Sequence, residues 1–358
     1  MSIGILQPMY PHYRKEFIQN LIEKTGLKLY HYIDEDITKK EGFLSSKTPS
    51  TYIPSIYCKA FLLYNPFTLT RKHRILILPF HFAHISTWII LLLKKILNIK
   101  IILWGHGISV KRYLTEEVKP DWKLRLMLNL SDGAWLYMEK EKQQWQHFFP
   151  KKPITALRNT ISGIEKILDY TPKQSDKELL KQKYRIKQNT ILIFCARFES
   201  KFRRIDLLIE VIENLIPEKY GFIIIGEGKY KPDFTHYHNV YDFGGTYDRE
   251  IKQELFTISD IYFQPGWVGL SIVEAMAYGL PVFTFKRSED ILQCVEYSYI
   301  VHTYNGMIFD NVTDFLDYMD KTDNKSYANM GINAQRTAKK LTMKQMTEKA
   351  IIHIKSIS

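Results

Sequence analysis

Three cysteines in 358 residues, Cys58, Cys195 and Cys294, are too few, too widely spaced and odd in number to make a disulfide framework or a metal-ligand pattern. A reducing compartment is the simplest expectation. Long apolar runs are also lacking. The most apolar window, Trp88-Ile-Ile-Leu-Leu-Leu, is broken at Lys94-Lys95, far short of the roughly 20 residues that span a bilayer. Nor does Met1-Ser-Ile-Gly-Ile-Leu-Gln-Pro carry a basic region followed by a sustained apolar stretch, so no secretory signal is expected. The expected location is cytoplasmic, either free or peripheral on the inner face of a membrane.

Acidic residues are absent from one long stretch. Between Gly42 and Thr115 there is none, while Lys47, Lys59, Arg71, Lys72, Arg74, Lys94, Lys95, Lys100, Lys111 and Arg112 fall there. Most of the net charge of +12 lies early: residues 1–150 hold 21 Lys and Arg against 12 Asp and Glu, the remainder 29 against 26. Interleaved aromatics such as Tyr57, Phe61, Phe67, Phe82 and Trp88 suit a surface for anionic headgroups or lipid-phosphate ligands. Nucleic acid suits the charge alone equally well. So does a solvated basic face over ordinary core aromatics.

What is present is an alternation of short β-type apolar runs with longer helical patterns, the mark of parallel sheets in α/β layers. Early strands are expected at Ile3–Leu6, Leu27–Ile33, Ile75–Leu78, Lys100–Leu103 and Ala134–Tyr137, with helices over Tyr13–Lys24, Ile85–Leu97 and Trp122–Leu130. Later strands are expected at Ile191–Ala196, Phe222–Ile225, Ile261–Gln264 and Val282–Phe285. Helices over Ile205–Ile216, Asp248–Ser259 and Ser271–Tyr278 separate them, and Leu341–Ile354 reads as a last helix. Turn formers between Asn159 and Ser175 mark a seam, and 358 residues suffice for two domains. Two Rossmann-like domains facing across a cleft are expected, with ligands at the carboxyl ends of the strands.

Two loops stand out. Arg197, Lys201, Arg203 and Arg204 crowd between a buried strand and an amphipathic helix, where the helix N-terminus already carries positive dipole charge. An anion such as a diphosphate would relieve that crowding; a solvated basic loop is the plain alternative. The second loop runs Gln264-Pro-Gly266-Trp267-Val-Gly269-Leu270-Ser271 into a helix bearing Glu274. Its glycines permit close backbone approach to a ligand, and Glu274 suits vicinal hydroxyls of a ribose. Ser271-x-x-Glu274 equally reads as a capping box in which Glu274 serves its own helix terminus.

From Gly269-Leu270 through Glu274-Ala-Met-Ala277 to Gly279 and Pro281-Val282 the chain resembles the signature of the retaining glycosyltransferases of family four, which have the GT-B fold. Supporting segments follow the family order. Arg197 with Arg203 and Asp206-Leu-Leu208 resembles its Arg…Lys-Gly-x-Asp-Leu-Leu segment, with one residue inserted. Ile224-Ile225-Gly226-Glu-Gly228 resembles its Val-Gly-x-Gly turn, and Val240-x-x-Phe243-Gly-Gly245 and Ser259-Asp260 through Pro265 resemble the segments after it. Together they cover roughly residues 190–285. Earlier in the chain, His106 in Trp104-Gly105-His106-Gly107 falls where the family has a histidine near sugar and acceptor, or is a turn histidine between glycines.

The resemblance implies an acceptor-binding domain over 1–162, a donor-binding domain over 163–340, and a terminal helix 341–358 packing back on the first. It implies a hexosyltransferase that moves a sugar from a UDP- or GDP-linked donor to a glycan or lipid-linked acceptor, without metal or other cofactor. Nucleic acid is not expected among its partners. Arg197, Glu274 and His106 become candidate catalytic residues. Arg203, Lys201, Gly226, Gly228, Phe243, Gly266, Trp267, Gly269, Leu270 and Ser271 become candidate donor contacts. Two departures stand against it. The family pairs Glu274 with a glutamate eight positions earlier, where this chain has Gly266. Its Gly-Gly loop after the first strand is replaced by Gln7-Pro-Met-Tyr-Pro-His12-Tyr-Arg14, in which His12 and Arg14 are candidates for the acceptor side or simply start a helix. A non-catalytic relative that binds nucleotide or glycan as a partner subunit is the alternative.

Overall fold

A computed structural model describes residues 2–33 and 48–358; Lys47 lies outside the described residues. The chain divides into two compact units, Met1–Gly163 with Thr342–Ser358, and Ile164–Leu341.

The first unit is built on a wholly parallel sheet. Its strands are β1 (Ile3–Gln7), β2 (Lys28–His31), β3 (Thr51–Tyr52), β6 (Ile75–Pro79), β7 (Lys100–Gly105), β8 (Gly133–Leu136) and β9 (Ile154–Ala156), in the order β3-β2-β1-β6-β7-β8-β9. The antiparallel pair β4 (Ser55–Cys58) and β5 (Phe61–Tyr64) forms a separate hairpin. β1 and β6 are buried along their whole length, which is why they read as unbroken apolar runs rather than alternating ones. The main helices are α1 (Lys15–Thr25), α2 (Ile85–Leu93), α3 (Trp122–Leu130) and α4 (Glu139–Phe148). A 3-10 turn, His12–Arg14, leads into α1. α2 stops four residues before the expected Leu97, unwinding into turns that end at Asn98 in the left-handed region (φ 50°).

The second unit repeats the plan with β10 (Thr190–Cys195), β11 (Tyr220–Ile225), β12 (Val240–Asp242), β13 (Ile261–Phe263), β14 (Val282–Phe285) and β15 (Gly306–Phe309). All are parallel, in the order β12-β11-β10-β13-β14-β15. Its helices are α5 (Gln174–Lys183), α6 (Ile205–Asn214), α7 (Arg249–Ile258), α8 (Ser271–Ala277), α9 (Val312–Lys321) and α10 (Asn324–Ala338). Leu208, Val211 and Ile212 of α6 face a core shared with Phe194, Phe222, Phe263, Phe283 and Phe315. That one-sided packing is what the three-to-four spacing in α6 encodes.

The terminal helix Met343–Ile357 belongs to the first unit, where it packs on α1 and β9. His353 on its buried face shares a 2.7 Å hydrogen bond with Thr155 Oγ1, and burial pushes its pKa down to about 4. Unfolded, the imidazole titrates near 6.5, so between about 6.5 and 4 the unfolded chain binds a proton that the folded chain refuses. Stability tied to His353 is therefore intact above that window and is lost as pH falls through it, by at most about 3 kcal/mol. Buried His84 is shifted in the same direction. His353→Gln, which retains a hydrogen-bonding group but does not titrate, should flatten the fall in unfolding free energy between pH 7 and pH 4. Urea titrations with equal slopes for both proteins would contradict this.

Candidate functional site

In the second sheet β10 lies between β11 and β13, so strand order reverses there and the loops after β10 and β13 emerge side by side at the carboxyl edge. The β13 loop is held by two glutamines, both fully buried. Gln264 Nε2 donates to the carbonyls of Gly266 (3.0 Å) and Trp267 (2.7 Å), while its Oε1 accepts from Tyr262 (2.8 Å) and Ser271 (3.1 Å). Gln293 Oε1 accepts from the Val268 amide at 2.8 Å, and its Nε2 donates to the Phe285 carbonyl at 2.9 Å. So clamped, Trp267 sits in the left-handed region (φ 53°), costly for a bulky residue. Its ring stacks on Phe202 of the β10 loop at 5.0 Å.

Gly266 is forced by that clamp. A Cβ there would stand 2.5 Å from the Phe202 carbonyl oxygen and 2.9 Å from Arg204 Cγ. The position that lacks the family's first glutamate therefore has no room for any side chain without moving backbone. Gly269 is the opposite case, with nothing within 4 Å of its would-be Cβ and no left-handed φ. Among the described residues nothing accepts from the amides of Gly269, Leu270 and Ser271.

The cations of the β10 loop part company. Arg204 is committed to Asp206, with Nη2 to Oδ2 at 2.6 Å and Nε to Oδ1 at 2.9 Å. Lys201 is exposed, its ammonium 5.8 Å from the Tyr230 ring centre. Arg203 is half-buried and donates from Nη1 to the Trp267 carbonyl at 2.8 Å. It forms no ion pair among the described residues. Desolvation lowers its pKa, against opposing pulls of Tyr262 and Cys294, with a smaller further lowering from the charge of Arg197. Arg197 itself is half-buried, two residues past the end of β10.

Glu274 does not cap its helix. Leu270 is the N-cap residue of α8 and makes no side-chain cap bond; the Ser271 hydroxyl turns to Gln264. Both oxygens of Glu274 accept from Lys252 Nζ of α7 at 2.7 Å, in a pair whose side chains are below one-fifth exposed. Desolvation opposes the Lys252 charge, but Glu274 more than offsets it and the lysine pKa is raised overall. The capping-box reading is thus overturned. The partner that displaced it lies 22 positions earlier, on another helix.

Gly226 and Gly228 follow β11 with φ of 156° and 148°. A Cβ would meet the Ala196 carbonyl oxygen at 2.1 Å in the first and the Phe198 carbonyl carbon at 2.5 Å in the second. Their glycine requirement comes from packing against the β10 loop. Phe243 meets the Tyr184 ring edge-on at 5.2 Å.

In the first unit, the loops after β1, β6 and β7 line a cavity of about 510 Å³ at the carboxyl edge. His106 stands on its wall, exposed, its ring edge-on to Tyr137 at 4.9 Å. Desolvation and the Arg14 charge lower its pKa, so it is neutral at pH 7. Arg14 packs under the same wall, its guanidinium 4.8 Å from the Trp104 ring centre and bonded to the Tyr137 hydroxyl at 2.7 Å. His12 is exposed on the turn into α1. Composition gave no hint of Gln264, Gln293 or Lys252; a polar residue closing a buried apolar run, just past β13, is the signal that Gln264 offered.

Residues 176–337 match the family model of the glycosyl transferases group 1. No curated protein matches the chain in sequence. In shape it is similar to Anabaena Alr3699/HepE in complex with UDP, with a TM-score of 0.68, 14% identity, and coverage of 99% of this chain and 100% of that one. It is also similar to the apo lipopolysaccharide outer core galactosyltransferase WaaB (TM-score 0.66, 13% identity, 99% of each chain). A glycosyltransferase from Rickettsia africae ESF-5 gives 0.64 at 16% identity, over 99% of this chain and 98% of that one. The fold is GT-B. Within a GT-B frame, the loops after β10 and β13 belong to the second Rossmann-like unit and the cavity of His106 to the first.

The contrast between glycines is testable by melting. Gly226→Ala and Gly266→Ala should each destabilise by about 2 kcal/mol or more, because backbone must shift to admit a Cβ. Gly269→Ala should melt within about 0.5 kcal/mol of the parent. Equal melting of all three variants would contradict the clamped geometry.

Proposed function

We propose that the chain transfers a sugar from a UDP- or GDP-linked donor to a glycan or lipid-linked acceptor, as a retaining hexosyltransferase of family four in glycoconjugate assembly. The observation that carries this is Arg203, a half-buried guanidinium that, among the described residues, bonds the Trp267 carbonyl and no carboxylate, and whose pKa desolvation lowers. Leaving a dehydrated charge without a counter-ion is costly, and an anionic ligand at this edge removes the cost. A nucleoside diphosphate fits, and the similarly folded HepE has been seen with UDP and with UDP-glucose. The second unit is then the donor domain and the first the acceptor domain.

In this reading, negative charge growing on the departing diphosphate is met by Arg197, Arg203 and Lys201 and by the unengaged amides of Gly269, Leu270 and Ser271. Glu274, fixed by Lys252, presents its remaining lone pairs to ribose hydroxyls. The acceptor hydroxyl attacks the anomeric carbon from the face the diphosphate leaves, which preserves configuration. A non-catalytic nucleotide-binding relative is favoured by one fact, the closure of position 266 to a carboxylate.

A peripheral seat on an anionic membrane completes the proposal. Ile56 and Leu63 face each other across the hairpin and are exposed, as are Ile89 and Leu92 of α2 and Trp122 of α3. β5 packs on α2, and α2 on α3, so these side chains share a region; Lys59 sits at the hairpin turn and Lys123 over the Phe82 ring. Apolar side chains among cations suit anionic headgroups.

Two measurements test this reading. Calorimetry with UDP and GDP should show binding that Arg203→Gln weakens roughly tenfold or more, the loss of one or two charge-assisted hydrogen bonds, while the melting temperature of the free protein does not fall. Turnover of a panel of UDP- and GDP-sugars should vanish in Arg197→Ala. Tight nucleotide binding without turnover of any donor would leave the non-catalytic reading. For the membrane seat, co-sedimentation should favour phosphatidylglycerol over phosphatidylcholine vesicles, weaken with salt, and fail in Ile56→Glu/Leu63→Glu; binding indifferent to lipid charge would refute it.

A further inference from the structure

A second cavity of the first unit lies at the opposite edge of its sheet, where the strands begin. It measures about 930 Å³ and is formed where α2, α3 and α4 end: Lys94 and Lys95 follow α2, Asp132 precedes β8, and Lys151 and Lys152 lead into β9. Its walls are apolar, built from Leu91, Leu130, Phe148 and Phe149. Gln146 holds the loop after α4 in shape, its Nε2 donating to the carbonyls of Phe149 (2.8 Å), Pro150 (3.0 Å) and Lys152 (3.1 Å).

Four lysines and one aspartate line this recess, and two of the lysines serve the protein itself. Lys94 pairs with Asp132 at 2.9 Å. Lys152 donates to the carbonyls of Asn129 (3.1 Å) and Ser131 (2.8 Å), a cation placed at the negative end of α3. Desolvation, and then the charge of Lys94, lower the Lys152 pKa against a smaller pull from Asp132. Lys95 and Lys151 are exposed on the rim, and neither forms an ion pair among the described residues.

The apolar surface does not stop at the mouth of the recess. Ile89 and Leu92 stand three apart on α2, Trp122 and Leu126 four apart on α3, so each pair shares a helix face, and all four are exposed. α2 packs on α3, and Leu92 belongs both to this strip and to the lining of the recess. An apolar strip that ends in an apolar-walled, lysine-rimmed recess is complementary to a molecule with hydrocarbon at one end and negative charge at the other.

We propose that the recess holds one anionic phospholipid of the membrane, its phosphate on Lys95 and Lys151 and the first stretch of its chains against Leu92, Leu130 and Phe148. Its biological sense rests on the membrane seat, for which it supplies a specific lipid partner. The loops after β1, β6 and β7 lie at the other edge of the sheet, so this lipid docks the chain and is not the acceptor.

The full chain is titrated by calorimetry with dihexanoyl phosphatidylglycerol below its micelle concentration, and in parallel with dihexanoyl phosphatidylcholine, glycerol 1-phosphate and inorganic phosphate. Phosphatidylglycerol should bind saturably at one site, roughly tenfold tighter or more than the other three, the worth of one charge-assisted hydrogen bond. Lys95→Gln/Lys151→Gln should weaken that binding roughly tenfold or more, for the same reason. Lys24→Gln/Lys72→Gln, which removes equal charge from exposed positions elsewhere in the unit, should bind within about twofold of the parent. No binding of phosphatidylglycerol, equal binding of the zwitterionic lipid or of free phosphate, or equal losses in the two lysine pairs overturns the proposal. The seat is read separately. Ile56→Glu/Leu63→Glu should fail to sediment with vesicles yet bind the short-chain lipid as the parent does; loss of short-chain binding there would put the lipid on the hairpin and overturn the recess. Short-chain binding without vesicle binding by the parent counts against the seat alone, and the reverse against the recess alone.

Discussion

One buried amide sets the geometry of the loops after β10 and β13. Gln264 is the first residue past β13, and every hydrogen bond it makes stays inside the protein: two carbonyls accept from its Nε2 and two hydroxyls donate to its Oε1. Drawing the carbonyls of Gly266 and Trp267 inward bends the chain so tightly that Trp267 takes a left-handed φ and Gly266 lies against Phe202. The same Trp267 carbonyl then accepts from Arg203 at 2.8 Å. A strand-end glutamine thus fixes where a cation of the neighbouring loop can rest, through a single shared oxygen. Networks of this kind are rigid because any unmatched member would be expensive.

Much of the fold was legible because buried parallel strands must be apolar along their length. β1, β6, β10 and β11 announce themselves in this way, and α6 and α7 by their one-sided patterns. β12, with only Val240-Tyr-Asp half in the open, carries no such run, and β15 begins at a glycine whose Cβ would collide with the Val282 carbonyl. In the candidate site, the placing of Arg197, Arg203 and Gly269 in loops after strands was readable from the apolar runs that precede them. The two readings of Glu274 stayed open because spacing alone cannot tell an N-cap from the first helical residue; the capping box fails because Leu270 takes the cap position and Ser271 spends its hydroxyl on Gln264. Lys252 was out of reach of any local pattern.

The two units handle charge in opposite ways. In the first, the excess of lysine and arginine lies largely on exposed elements, while the cavity at the carboxyl edge is lined by neutral groups and one arginine already matched by carboxylates. In the second, formal charge is nearly balanced, yet Arg203 is half-buried at the sheet edge without a carboxylate partner among the described residues. Net charge is therefore no guide to Arg203; what sets it apart is the local failure of pairing among the described residues.

That failure and the missing glutamate are one feature. A carboxylate at position 266 would add negative charge beside the guanidinium that bonds the carbonyl of the very next residue. The chain instead has a glycine there, closed in by Phe202 and Arg204, and the carboxylate that remains, Glu274, is already matched by Lys252. Arg203 is left as a cation whose counter-charge the described residues do not supply. Opposite charges attract most strongly where water is excluded, so an anion arriving at this edge meets a charge that has not been spent on an internal ion pair. Loss of the glutamate keeps that charge available, and the departure from the family pattern is compatible with a working diphosphate site for that reason.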